Sequence, residues 1–173
     1  MRGGAVNCQN RVHYNRRMLS RCALLLVGGL LLTCVPVSAQ NASRHSEAEI
    51  HVFLDQFIAA FDNLDWEKFR TCFADDATVI HPALFSHRLD GRAGYEPAWQ
   101  KVFEKTRTDS GKSQPPYMDL QPKDLKIQML NQAAVVTFHL DRGHSSTGRR
   151  TLVLRKGADG WKIVHLHASN VDF

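Results

Sequence analysis

Imidazoles are the groups in this 173-residue chain with the most chemistry to offer. His81 closes the run Ala77-Thr78-Val79-Ile80-His81 directly before Pro82, so its ring stands at a strand end. A neutral imidazole with a pKa of about 6.5 takes or gives a proton near neutral pH without a cofactor. His139 lies in Val135-Val136-Thr137-Phe138-His139-Leu140-Asp141, where period two puts Val135, Thr137, His139 and Asp141 on one face. Composition turns the other face, Val136, Phe138 and Leu140, toward a core and leaves His139 outside. Asp141 reads either as a group that orients an imidazole or contacts substrate, or as an exposed strand-end acid. His165 and His167 form a His-x-His pair, a spacing that metal sites use, but no Cys or acid on that face supplies a third ligand and no metal is expected. Cys72 sits among Trp66, Phe69 and Phe73 as an inert buried thiol, and Ser145, Ser146 and Thr147 read as a turn without triad partners.

The elements that must position these groups run from helices to strands. Ser46 and Glu49 make a capping-box pattern, and Ile50, Phe53, Leu54, Phe57, Ile58 and Phe61 recur at helical spacing behind it. Asn63-Leu64-Asp65 breaks that helix, and Trp66 to Phe73 forms a short second one. Asp75-Asp76 turns the chain into the His81 strand, and Phe85 to Leu89 pairs back on it before an Asp90-Gly91 turn. A third helix covers Ala93 to Lys105, with Tyr95 and Trp99 either lining a pocket or serving as ordinary core. Residues 109–117, with Gly111, Pro115 and Pro116, form a loop, the expected mobile part. Strands follow at Leu120–Leu130, Ala133–Arg142, Arg149–Lys156 and from Trp161 onward, the last one fed by an Asp159-Gly160 turn. Helices first and a four-strand meander afterwards indicate one α+β domain.

The first 39 residues read as an export signal. Arg16, Arg17 and Arg21 precede an apolar run from Cys22 to Val35, and Val37-Ser38-Ala39 offers a cleavage site after Ala39. The run is shorter than the roughly 18 residues a spanning helix needs, so stable membrane insertion is not expected. Asn15-Arg16-Arg17-Met18-Leu19 resembles a twin-arginine signal, Met18 is an alternative start, and Leu31-Leu32-Thr33-Cys34 is a poor lipoprotein box. Residues 40–46 are a polar leader and 47–173 the folded domain. Five of the 22 basic residues (Arg2, Arg11, Arg16, Arg17, Arg21) belong to the signal, which leaves 17 against 17 acids and cancels the formal +5. A basic footprint for nucleic acid is absent. Cys8, Cys22 and Cys34 also leave, so Cys72 remains without a disulfide partner and the exported, periplasmic or secreted, domain relies on its core.

Phe73-Ala74-Asp75-Asp76-Ala77-Thr78-Val79, His81-Pro82, Asp90-Gly91-Arg92 and the closing Gly160-Trp161-Lys162-Ile163-Val164-His165-Leu166-His167-Ala168-Ser169 resemble the SnoaL-like branch of the nuclear transport factor 2-like superfamily. The ending is similar to the calcium/calmodulin-dependent protein kinase association domain, and the Phe73–Val79 run to ketosteroid isomerases. The resemblance implies a cone-shaped α+β fold: a curved antiparallel sheet with about three helices on its concave face, dimerising through the outer sheet face. It puts His81 where relatives carry a base, and Phe57 and Leu152 or Val153 where ketosteroid isomerases carry oxyanion donors, so steroid isomerisation is not expected. The association domain's pocket arginines fall at His139, Leu152 and Ala168, and no strongly anion-binding pocket follows from them.

The resemblance also turns His139 toward the cavity. It implies a pocket of Phe57, Tyr95, Trp99, Thr137, Leu152, Leu166, Ala168 and Asn170 for a small apolar ligand, with His81, His139 and Asp141 catalytic. Trp161, Ile163, His165 and His167 then face the partner subunit, while Leu166, Ala168 and Asn170 point inward; a one-residue bulge would exchange these sets. The implied function is cofactor-free proton transfer of isomerase, cyclase or dehydratase type. A ligand-holding or assembly domain is the alternative.

Overall fold

The computed structural model describes residues 37–82, 87–141 and 145–173, and of 37–45 the backbone alone. The expected signal up to Pro36 and the Phe85–Ser86 part of the returning strand therefore lie outside the described residues.

Ile50, Leu54, Phe57 and Ala60 recur every three or four residues, and these are the side chains that helix α1 (Val37–Asp62) buries. The helix starts well before Ser46, so the expected capping box is not what begins it. Glu49 is used at long range instead: its Oε2 accepts from Lys156 Nζ at 2.6 Å and from Trp161 Nε1 at 3.1 Å. Asp65 caps helix α2 (Trp66–Thr71), accepting from the Lys68 N–H at 3.2 Å. That helix ends before Phe73, because the Cys72 carbonyl accepts from the Ile163 N–H at 2.8 Å and draws Phe73 into strand β1 (Phe73–Ile80). Asp75 and Asp76, expected as a turn, lie inside this strand on a bulged stretch, paired to Arg92 and Arg155. Strand β2 (Leu89–Asp90) pairs antiparallel on β1, with Leu89 opposite Val79.

Gly91, at φ 66°, then opens helix α3 (Gly91–Ser110), and Gly111, at φ 62°, closes it in the left-handed conformation that spares glycine a Cβ clash. No described helix is long and apolar enough to cross a membrane.

The meander follows as β3 (Pro122–Leu130), β4 (Ala133–Asp141), β5 (Ser146–Gly157) and β6 (Gly160–Asp172), giving one curved sheet in the order β2-β1-β6-β5-β4-β3. Its pairs are antiparallel except β1 with β6, which run parallel. The helices cover one face. There β4 buries Ala134, Val136, Phe138 and Leu140, and β5 buries Leu152 and Leu154. The expectation that this apolar face of β4 would turn outward against a second subunit is therefore corrected. Burying each of the larger side chains stabilises by about 1.5–3 kcal/mol, and the chain's own helices supply the cover.

Strand β6 changes parity along its length. Leu154 pairs with Ile163 while Val153 pairs with His165, so Val164 is one extra residue against β5. Before it Trp161 and Ile163 face the helices; after it Leu166 and Ala168 do. Trp161 and Ile163, assigned to the outer face from the resemblance, are thus inside, while His165 and His167 remain outside. Phe69 sits at the centre of the resulting core, with the rings of Phe57, Phe61, Phe73, Trp99 and Phe103 all within 5.5 Å between centroids.

Candidate active site: a cavity between helices and sheet

Between the helices and the inner sheet face lies a cavity of about 490 Å³. Its apolar walls come from Phe57 and Phe61 of α1, Trp99 and Val102 of α3, and Phe138 and Leu166 of the sheet. His81 is in the wall because Ala77 and Val79 set the inward parity of β1 and His81 continues it one residue past the strand. The imidazole is half-buried and meets the Trp99 ring edge-on, with centroids 5.2 Å apart. Trp99 is only 3% exposed, and its Nε1–H is buried with no acceptor among the described residues.

Of the residues expected in a substrate pocket, Phe57, Trp99, Leu166 and Ala168 line this cavity. Leu152 is buried on the same sheet face but belongs to the core beside the cavity. Tyr95 is core as well, its hydroxyl donating to the Ala74 carbonyl at 3.0 Å, with burial foremost in raising its pKa. Asn170 is partly exposed near the end of β6 and does not line the cavity.

His139 and Thr137 are misplaced by the resemblance: both stand on the outer face, because Phe138 and Leu140 take the inner one. The His139 side chain is 47% exposed, with Nδ1 3.3 Å from Asp124 Oδ2. It cannot serve as the electrostatic partner of His81. Asp141 shares its parity but, at the strand end, reaches the cavity rim, where it accepts from Lys123 Nζ at 3.0 Å.

Arg150 is the residue that sequence reasoning passed over. It lies on the inner face of β5, opposite Phe138 on one side and Ala168 on the other, and lines the cavity. Counting back in twos from Leu154 and Leu152 would have found it.

One rim of the cavity is the strap Met118–Leu120. The end of α1 holds it: the Asp62 carbonyl accepts from the Tyr117 and Met118 N–H groups at 2.8 and 3.2 Å, and its carboxylate from the Leu120 N–H at 3.0 Å. Burial is the main cause that raises the Asp62 pKa above its ordinary 3.8, with the nearby Asp119 adding to it. Away from the cavity, burial pushes the Cys72 thiol up to about 11, as befits an inert cysteine. On the outer face His165 Nδ1 lies 2.7 Å from Thr78 Oγ1, and burial foremost, then His167 and Arg88, lowers its pKa from 6.5.

The profile of the SnoaL-like domain matches residues 50–172. The chain belongs to the SnoaL-like domain family. Among curated proteins nothing matches it. Solved structures place the SnoaL-like domain in the nuclear transport factor 2-like fold. A nuclear transport factor 2-like protein of unknown function from Pseudomonas putida KT2440 superposes with a TM-score of 0.60 at 18% identity, over 73% of this chain and 87% of its own. A protein from Streptomyces avermitilis, named as a dehydratase of that family, gives 0.60 at 17% identity over 74% and 97%. A protein from Thiobacillus denitrificans, named as a calcium/calmodulin-dependent protein kinase type II association domain, gives 0.54 at 25% identity over 70% and 94%. At these identities the likeness carries the fold; what the SnoaL-like domain does rests on its cavity.

Proposed function

We propose that this SnoaL-like domain takes up a small, largely apolar molecule and carries out cofactor-free proton transfer on it, of isomerase, cyclase or dehydratase type, with His81 as general base or acid. The observation that carries this reading is the His81 imidazole in the wall of a cavity otherwise built mainly of rings and aliphatic side chains. Phe57 lines the cavity without a hydroxyl, which argues against the oxyanion chemistry of a steroid isomerase.

The test begins with the chain purified gently from its own host and weighed under native and denaturing conditions, which gives the mass of any molecule it carries. Incubated with that molecule in D₂O, the wild type exchanges its acidic C–H and His81→Gln does not. A variant that exchanges at the wild-type rate removes His81 from the mechanism.

A second reading, ligand holding without turnover, is favoured by His139 standing on the outer face, which takes away the expected second imidazole. In that case the wild type returns the molecule without deuterium. As to setting, we read the domain as exported through its N-terminal segment and self-associating through the outer sheet face, where Val135, Thr137, Thr151 and Val153 are half-buried side by side. The native mass decides the second point.

A further inference from the structure

We infer that the ligand of this cavity is amphipathic, an apolar body ending in a carboxylate, and that Arg150 holds the carboxylate. The inference rests on the cavity being a small-molecule site and names the substrate class of that site.

These observations carry it. Arg150 stands on the inner sheet face between Phe138 and Ala168, both buried, and lines the cavity while remaining partly exposed. That group keeps its charge at any pH the fold tolerates, and its planar fork matches a carboxylate bidentately. Nη1 donates to the Arg149 and Ser169 carbonyls at 2.9 and 3.1 Å, contacts that orient the group and leave its charge in place.

Gly148 makes the room for it. A Cβ on Gly148 would come within 3.0 to 3.3 Å of the Arg150 guanidinium atoms, so the side chain lies back over the glycine two residues before it on the same face. A bare strand position beneath a charged group is a cradle written into the sequence.

The rim carries other charged groups, each in a polar contact. Lys105 donates to Asp109 at 2.7 Å, Lys123 to Asp141 at 3.0 Å, and the Gln121 amide to Asp119 at 2.6 Å. The side chains of Lys105, Asp109 and Asp141 are about three-fifths exposed, where solvent screens them. Trp99 lines the same wall, so its indole reports on an occupant of the cavity.

The full chain is titrated calorimetrically with 2-naphthylacetate and with its neutral twin, 2-naphthylacetamide, while the indole N–H signal of Trp99 is followed by NMR. The wild type is expected to bind the acid roughly tenfold or more tighter than the amide, the weight of one charge-assisted hydrogen-bonded contact, and to shift the Trp99 signal. Arg150→Met abolishes the preference, chiefly by weakening the acid; Arg150→Lys keeps part of it. Gly148→Ala retains the charge but crowds the guanidinium, and weakens the acid alone. Equal binding of acid and amide by the wild type, with the Trp99 signal shifted, overturns the anchor while the cavity stands as a site. Absence of binding by both, with the signal unmoved, removes the small-molecule site itself and the inference with it.

Discussion

The His81 imidazole stands edge-on to the Trp99 indole, ring planes at 71° and centroids 5.2 Å apart, so the proposed base is held by a side chain that is itself almost fully buried. Replacing Trp99 separates two roles. Trp99→Ala loses the packing and is expected to cost about 3–5 kcal/mol in urea denaturation. Trp99→Phe keeps a ring against His81 and removes a donor with no described acceptor, an arrangement that costs about 1–3 kcal/mol, so the net loss is expected below about 1.5 kcal/mol. A Phe variant as unstable as the Ala one would mean the indole N–H is bonded.

Phe69, on the short helix α2, packs its ring against α1, α3 and β1 at 1% exposure. Phe69→Ala is expected to destabilise by about 3–5 kcal/mol, with the transition midpoint lowered and its slope unchanged. A loss under about 1 kcal/mol would show that the cluster closes over the gap.

The Asp62 carboxyl has its pKa raised, chiefly by burial. The folded chain therefore binds this proton more readily than the unfolded one, so that share of stability is complete below the ordinary value and is lost as pH rises through the raised one. Asp62→Asn keeps an acceptor for the Leu120 N–H without the charge and is expected to be tolerated, with the pH dependence removed. Asp62→Ala orphans that N–H, and hydrogen exchange at Leu120 should accelerate; equal exchange in all three forms would show that the strap is held elsewhere.

His165 has the opposite sign. Its folded pKa lies below 6.5, burial being the foremost cause, so its contribution is present above about 6.5 and is lost as pH falls through the lowered value. His165→Gln should flatten the acid side of the stability profile measured by urea midpoints between about pH 7 and 5. An unchanged profile would assign the acid loss to other groups.

Cys72, its thiol raised to about 11 by burial, should resist iodoacetamide at pH 8 in the folded chain and react at once in urea. Labelling at Cys72 itself, read by peptide mapping apart from Cys8, Cys22 and Cys34, at the rate of a free thiol would place Cys72 at the surface.

How much was legible follows from the kind of signal each element sends. The order of helices and strands rests on local periodicity, and α1, α3 and the meander are where the spacing of Leu54, Phe57, Trp99 and Val136 puts them. His81 was reachable because β1 keeps one parity from Ala77 onward. The parity of β4 was also readable, from Val136, Phe138 and Leu140, and was lost by preferring a distant likeness to the hydrophobic pattern. Arg150 escaped because it sits beside Arg149 in a polar stretch, and only the Leu152 and Leu154 parity tells the two apart. The β6 bulge has no glycine or proline to announce it, and the long-range use of Glu49 depends on two partners more than a hundred residues away.

The extra residue at Val164 means that β6 is two short strands in antiphase on one backbone. Its first half closes the seam with Glu49 through Trp161, and its second half floors the cavity with Leu166 and Ala168. The two halves can change independently so long as the count between them is kept. Removing Val164 would take no side chain from the cavity and none from the seam, yet it would force one of them to turn its lining to solvent. Ligand capacity in this domain is therefore as sensitive to the length of a strand as to the chemistry of any residue along it.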